Sequence, residues 1–361
     1  MVKTRFACVA GRYPVPMTTN MNMNAVADDV RLIWSDYRPT PLIELPQLAA
    51  RCGVGRVLAK LENERPLGNF KGLGGMVAGL GALAKSAGLD DIGALLADPP
   101  ARLPQLICAS DGNHGLAVAA AAQRAGTSAT IYLPAAVPTL RSDRIAALGG
   151  KIVWVDGSYD DAVDAALAAV AAHDGAILVP DTTDRLDDPM VAKVMEGYGL
   201  TAREIGDQLN GAVPTHLFVP AGVGGLAAAM ADGLLPMLRQ RVSMVVVEPE
   251  TAPCVSHALR HGAPVLARES LETAAEMLSC GLASAPAIAT LLRHRASSLL
   301  VCEAMLDQAP GVLARASGPA TTPSGAAGLA GLLHASVDDA SRRRLRLDHT
   351  STALLIITEG V

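Results

Sequence analysis

Leu106-Ile107-Cys108-Ala109-Ser110-Asp111-Gly112-Asn113-His114-Gly115 is the stretch on which the fold turns. Four apolar residues stop at a small polar loop, and the loop opens into an alanine-rich run, 113–125, of helical length. A short apolar run bounded by turn residues reads as a buried strand, and the longer run behind it as a helix. The pattern repeats downstream as strand 129–133, helix 139–148, strand 151–155, helix 159–173 and strand 176–179. A charged segment, 181–188, separates this set from a second one with strand 215–219, helix 225–235 and strands 244–248, 298–302 and 352–357. Alternation of this kind builds doubly wound, mainly parallel sheets, so two α/β lobes with a cleft between them are expected. Ligands of such sheets bind at the carboxyl ends of the strands, where loops and helix N-termini gather. Upstream, residues 1–37 read as an irregular, Met/Asn-rich arm that Trp34 and Tyr37 anchor to the body or to a neighbouring subunit. Arg38-Pro39-Thr40-Pro41-Leu42 is a rigid extended turn, followed by a helix to about Arg51 and a strand at 56–61.

Composition narrows the class. With 361 residues, half of them hydrophobic, the chain buries a large core. Only 3% of residues are aromatic and the net charge is −5, which argues against a base-stacking nucleic-acid surface. Arg342-Arg343-Arg344 reads as a solvated helix face. The six cysteines (Cys8, Cys52, Cys108, Cys254, Cys280 and Cys302) form no Cys-x-x-Cys pair, so a reduced, cytoplasmic setting is expected and no metal site. The first 23 residues lack the continuous apolar stretch of a signal peptide. The uncharged run 208–231 is long enough to raise a membrane span, but its prolines and glycines fit a buried strand, loop and helix better.

Three stretches carry chemistry. In Asn69-Phe70-Lys71-Gly72-Leu73-Gly74-Gly75 a lysine stands at a helix start, where the positive end of the helix dipole disfavours an ammonium. A neutral amine or an imine suits that position, as does, on a blander reading, a surface lysine at a loop–helix junction. The loop Ser110–His114 offers helix-start amides to a carboxylate, with Asn113 able to cap the helix and reach a ligand oxygen. The alternative there is an ordinary N-cap with His114 turned to solvent. Pro220-Ala221-Gly222-Val223-Gly224-Gly225-Leu226 follows a strand and feeds a helix, so its amides form a nest for a phosphate. Its Gly-x-Gly-Gly spacing is no dinucleotide fingerprint, and Glu248 is at best a loose candidate for a ribose-binding acid.

Taken in that order, the lysine, the Asn-bearing carboxylate loop and the glycine cradle resemble the fold type II family of pyridoxal-phosphate (PLP) enzymes. The resemblance runs from about Arg38 to Glu359, and within the family it is strongest to the ammonia-lyases of diaminopropionate, whose loop carries an acid where Asp111 stands. Tyr37–Leu42, Val179-Pro180-Asp181-Thr182, Ser324-Gly325-Ala326 and Thr358-Glu359-Gly360 match as well. Departures fall at Thr183–Asp188, which lacks the family's aromatic and glycine residues, and at Pro323, where an acid usually precedes the serine.

The resemblance implies a larger PLP-binding domain from 1–80 and 185–361, a smaller one from 81–184, and a homodimer. It implies that Lys71 holds the cofactor as an imine, with Phe70 beside it and Asn113 on the ring oxygen. Gly222, Val223, Gly224, Gly225 and Leu226, with Ser324, would bind the phosphate end, and Thr358 would face the ring nitrogen. Ser110, Asp111, Gly112, Asn113 and His114 would receive the substrate carboxylate. A neutral hydroxyl at the ring nitrogen favours elimination over transamination. The expected reaction is α,β-elimination of 2,3-diaminopropionate to pyruvate and ammonia. Lys71, with burial lowering its pKa, would be the base on one face and Asp111 on the other. Asp181 would steer the β-ammonium group or, alternatively, merely cap a helix. A serine- or threonine-type dehydratase is the runner-up activity, and a PLP-binding relative without catalysis is the other class.

Overall fold

The structure, a computed structural model, describes residues 23–173, 175–238 and 240–361. Most of the expected N-terminal arm, with Cys8, lies outside the described residues. From Met23 onward the arm is not irregular: it forms α1 (Met23–Ile33). It stands because Val26, Val30 and Ile33 form one stripe buried against the body.

The strands in chain order are β1 (Leu42–Glu44), β2 (Arg56–Leu61), β3 (Leu106–Ala109), β4 (Ala129–Pro134), β5 (Lys151–Val155), β6 (Ile177–Leu178), β7 (His216–Pro220), β8 (Ser243–Pro249), β9 (Ser297–Val301) and β10 (Thr352–Ile357). The helices after α1 are α2 (Pro46–Cys52), α3 (Lys71–Ser86), α4 (Ile92–Ala97), α5 (Asn113–Ala125), α6 (Thr139–Ala147), α7 (Tyr159–Ala172), α8 (Pro189–Gln208) and α9 (Gly225–Gly233). The last five are α10 (Cys254–His261), α11 (Ala285–Arg293), α12 (Glu303–Arg315), α13 (Ala327–Val337) and α14 (Asp339–Leu345). One sheet has six strands in the order β1-β2-β10-β7-β8-β9, and the other has four, in the order β5-β4-β3-β6. Every pairing is parallel except β1 on β2. Helices cover both faces, which is why β3 is buried along its whole length. In the larger sheet alternate residues serve opposite faces: Val57, Ala59, Val245 and Leu355 join one core, and Leu58, Val246 and Leu354 the other. Among the described residues no helix is long and apolar enough to cross a membrane.

Two topological facts place the site. In the smaller sheet β3 lies between β4 and β6, so the chain reverses direction of build there, and the loops after β3 and β6 meet at the switch point. In the larger sheet β2, β10 and β7 are adjacent, so the segments after these three strands share one edge of the cleft. Helix α3 packs against both α5 and α8 and can do so only because it is glycine-rich. A Cβ on Gly75 would lie 2.6 Å from the Cβ of Ala117, and one on Gly74 would lie 2.4 Å from Cε1 of Tyr198.

Trp34 and Tyr37 anchor onto the body. The Tyr37 hydroxyl donates to Glu204 at 2.5 Å. Glu204 belongs to a buried foursome with Lys60, Glu62 and Arg65, none more than 3% exposed. Lys60 reaches Glu204 at 2.5 Å, and Arg65 reaches Glu62 at 2.6 Å and Glu204 at 2.7 Å. Two cations and two carboxylates cancel, which is the condition under which such charges persist in an interior.

Candidate active site

Lys71 leaves β2 through two 3-10 turns (Glu62–Glu64 and Pro66–Gly68), and Leu67 takes the left-handed backbone at φ 73°. The turn is tied to the segment after β10. The Phe70 amide donates to the Thr358 carbonyl at 3.2 Å, and the Gly360 amide donates to the Gly68 carbonyl at 3.0 Å. Asn69 also fixes the start of α3, accepting from the Lys71 amide at 3.0 Å. The ammonium of Lys71 then meets the carboxylate of Asp181, which follows β6, and the Tyr159 hydroxyl donates to the other Asp181 oxygen at 2.6 Å.

This ion pair reverses one expectation. Burial by itself drives the Lys71 amine toward neutrality, but the contact with Asp181 outweighs it and the pKa stands above its ordinary value. Burial likewise lifts Asp181, yet Lys71 and the hydrogen bonds around it hold that carboxyl well below the usual range. Lys71 is therefore an ammonium here, not the free amine that its helix-start position and burial imply. Nor is Asp181 a helix cap: α8 is capped by Asp188, which accepts from the Met190 and Val191 amides at 3.0 and 3.1 Å.

The loop after β3 is held from inside. The Ser110 hydroxyl accepts from the Gly112 and Gly115 amides, both at 2.8 Å, so those donors are already taken. The Ser110 amide is taken as well, by the Tyr132 carbonyl at 3.0 Å. That leaves the amides of Asp111, Asn113 and His114 for a ligand. Gly112, not Asn113, occupies the N-cap, and Gly112 does not line the cavity. Asn113 donates instead to Glu359, whose other oxygen accepts from Thr322. His114 does not face solvent. It is buried, and its Nε2–H donates to the Val179 carbonyl at 2.7 Å while Nδ1 has no partner. Asp111 lines the cavity, and burial together with the nearby Asp181 carboxylate pushes its carboxyl up to about 7.

After β7 the chain enters α9 through Gly224 at φ 95°, a backbone that favours glycine. The first-turn amides of α9 have no intrahelical acceptor and lie at the positive end of its dipole. Lys71, Asp111, Asn113, Asp181, Gly222–Leu226, Thr358 and Glu359 all line one cavity of about 740 Å³, its open mouth included. Ser324 does not line it. Its hydroxyl accepts from the Met277 amide at 3.1 Å, and Met277 forms the wall. Glu248 is no ribose ligand, because it is buried and accepts from the Val255 and Ser256 amides at 2.7 Å.

Four lining residues escaped the reading of the sequence as ligands: Tyr159, Tyr198, Cys280 and Glu359. Tyr159 was within reach, since it begins a helix just after β5 behind a Ser158/Asp161 capping box, at another carboxyl strand end. Glu359 stood in a quoted motif without a role. Tyr198 sits between Gly197 and Gly199, and Cys280 had no signal beyond its apolar surroundings. An amine, an anion nest, an amide facing the cleft and a buried phenol without a partner fit the aldehyde, phosphate and ring oxygen of pyridoxal phosphate.

A family model described as pyridoxal-phosphate dependent enzyme matches residues 33–359. The diaminopropionate ammonia-lyase of Salmonella typhimurium is 32% identical over 353 residues, covering 90% of this chain and 86% of that protein. Holo diaminopropionate ammonia-lyase from Escherichia coli superposes with a TM-score of 0.85 at 29% identity, covering 95% of this chain and 91% of that one. The same enzyme in complex with an aminoacrylate-PLP azomethine reaction intermediate superposes with a TM-score of 0.82 at 30% identity and the same coverage.

Proposed function

Because the chain belongs to the pyridoxal-phosphate-dependent enzyme family, we propose that it eliminates ammonia from 2,3-diaminopropionate, consuming one water and giving pyruvate and two molecules of ammonia. The observation that carries this reading is the charge of the cavity wall, where Asp111, Asp181 and Glu359 face the single amine of Lys71. An amino acid with a second, cationic amino group matches that excess of carboxyl groups. A hydroxy amino acid brings them a hydrogen-bond donor but no positive charge.

Bound here, pyridoxal phosphate supplies the electron sink for the pair left at Cα. The nest Gly222–Leu226 would hold its phosphate, Lys71 its aldehyde carbon, Asn113 its ring oxygen and Thr358 its ring nitrogen, with Phe70 packed beside Lys71. The Asp111, Asn113 and His114 amides orient the substrate carboxylate. Lys71 removes the Cα proton on one face once its own proton has left, an equilibrium set by Asp181 and the Tyr159 hydroxyl behind it. Asp111, with its carboxyl held up to about 7, is a base matched to neutral pH on the other face. The β-nitrogen departs with its bonding pair, and Asp181 would steer the ammonium form toward departure.

The division into a larger domain (1–80 and 185–361) and a smaller one (81–184) is supported by the two sheets, whose strands fall on either side of it. The unpaired state of the five described cysteines supports a reducing, cytoplasmic setting, and the homodimer rests on the family resemblance. The test takes two samples of the holoenzyme: one is reduced with borohydride and peptide-mapped, and the other, unreduced, is assayed for 2-oxo acid release from D- and L-diaminopropionate, serine and threonine. A pyridoxyl label on Lys71 and turnover of diaminopropionate are expected. A label on another lysine refutes the site, release from serine or threonine alone refutes the substrate, and no turnover at all points to the non-catalytic relative.

A further inference from the structure

Of the two phenols in the cavity wall, Tyr198 is the one that the mechanism leaves without a task. It projects from the middle of α8, is 2% exposed, and its hydroxyl has no hydrogen-bond partner. A hydroxyl buried without a partner forfeits its bonds to water, a loss that a phenylalanine at the same place would not incur. The surroundings are shaped for this ring. A Cβ on Gly74 would lie 2.4 Å from its Cε1, so α3 gives up a side chain to admit it. Phe70 packs edge-on with ring centroids 4.9 Å apart. On one side the Lys71 amine lies 6.0 Å from the ring centre. On the other, Cε2 lies 3.6 Å from where a Gly225 Cβ would stand. The phenol thus occupies the angle between the lysine and Gly225, the nest residue that begins α9.

Pyridoxal phosphate carries its aldehyde and its phosphate arm on adjacent ring carbons. With the aldehyde at Lys71 and the phosphate at the nest, the group passing between the two is the phosphate arm. We infer that the Tyr198 hydroxyl donates to a phosphate oxygen of the cofactor, the one side-chain donor in a cradle otherwise made of backbone amides. The inference rests on the reading of the site given under Proposed function. Burial raises the phenol's pKa above its ordinary value, so the group stays protonated and remains a donor throughout the working range.

The test is Tyr198→Phe, which removes one oxygen and keeps the ring that Gly74 and Phe70 pack against. Apoprotein of wild type and variant is titrated with pyridoxal phosphate and, separately, with pyridoxal, which retains the aldehyde and lacks the phosphate. A hydrogen bond to a charged group predicts a 10- to 100-fold rise in the dissociation constant for pyridoxal phosphate and none for pyridoxal. Thermal midpoints give a second readout. Without cofactor the variant melts at or above the wild-type temperature, while the gain conferred by pyridoxal phosphate shrinks; a merely structural tyrosine would lower the midpoint of the apoprotein. Equal affinities in wild type and variant, an equal weakening of both ligands, or a lower apoprotein midpoint each overturn the inference. A wild type that binds no pyridoxal phosphate overturns the reading beneath it instead.

Discussion

Asp181→Asn tests the ion pair at the centre of the site, and its size follows from what Lys71 can do when the partner is gone. The variant keeps an oxygen for the Tyr159 hydroxyl and removes only the charge. Leaving one member of a buried pair uncompensated costs about 3–5 kcal/mol. The amine has an escape, however, because it can shed its proton. For a lysine of ordinary pKa near 10.4, that costs about 4.6 kcal/mol at pH 7 and about 2 at pH 9, which sets a ceiling falling with pH. With the Lys71 side chain 21% exposed, the lower end of the range applies, so the deficit is about 3 kcal/mol at pH 7 and at most about 2 at pH 9. For 361 residues an unfolding entropy of about 0.8 kcal/mol/K converts these to about 4 °C and at most about 2.5 °C in the melting temperature of the apoprotein.

The sign follows from the direction of each shift. In the variant the folded amine has a pKa below its unfolded value, so the penalty is full at low pH and fades as pH rises toward about 10. In the wild type, Lys71 is raised and Asp181 lowered, so the pair's contribution is constant between the ordinary carboxylate and lysine pKa values. Melting curves of both apoproteins at pH 6, 7, 8 and 9 decide the matter. A deficit under 1 °C at pH 7, or one of constant size across the series, would refute the claim that this pair is energetically real.

Asp111→Asn should lower turnover of D-diaminopropionate by roughly a hundredfold to ten-thousandfold while sparing most of the L reaction; pyruvate assays with separate enantiomers would show equal losses if Asp111 only positions substrate. In the wild type, kcat/KM for the D enantiomer should drop about tenfold per pH unit below about 7, where the proton on Asp111 blocks its action as a base. Gly224→Asp should cost about a hundredfold or more in cofactor affinity, since it strains the φ 95° turn that shapes the nest and its Cβ would stand 3.3 Å from Val255 and 3.4 Å from Ala287; unchanged affinity in a pyridoxal phosphate titration would place the phosphate elsewhere. Glu204→Ala leaves Lys60 and Arg65 buried against Glu62 alone and should lower the melting temperature by about 4–6 °C; a shift under 1 °C would mean water already screens the foursome.

What could be read in the chain divides along a physical line. Elements whose ends are written in local chemistry were legible: α5 and β5 begin and end at Gly or Asp, β3 stops at Ser110 and β10 starts after Ser351. Elements held by their surroundings were not. Helix α8 runs for 20 residues and was absent from the expected set, because Gly197 and Gly199 argue locally against a helix. Gly197 is there because a Cβ would come within 2.6 Å of the Leu73 carbonyl oxygen, a close approach visible only once α3 lies across it. The short edge strand β1 and the helices α10 to α13 went unplaced for a similar reason, since packing rather than strong local signals defines them.

The site divides the same way, and the charge of Lys71 shows why. The nest and the carboxylate loop are made of backbone amides at strand ends, and backbone geometry follows from local sequence. The proton on Lys71 depends on two opposing quantities, of which the chain displays one. Helix dipole and burial both disfavour the ammonium and both can be read near residue 71. The opposing carboxylate is 110 residues away and arrives only because the loop after β6 meets the switch point beside β3. Burial that weakens an isolated charge strengthens a pair, so the same apolar wall that predicts a neutral amine, once Asp181 is present, favours the charged one. The sign of this buried group's shift therefore follows the fold's long-range pairing and not the residues beside it in sequence.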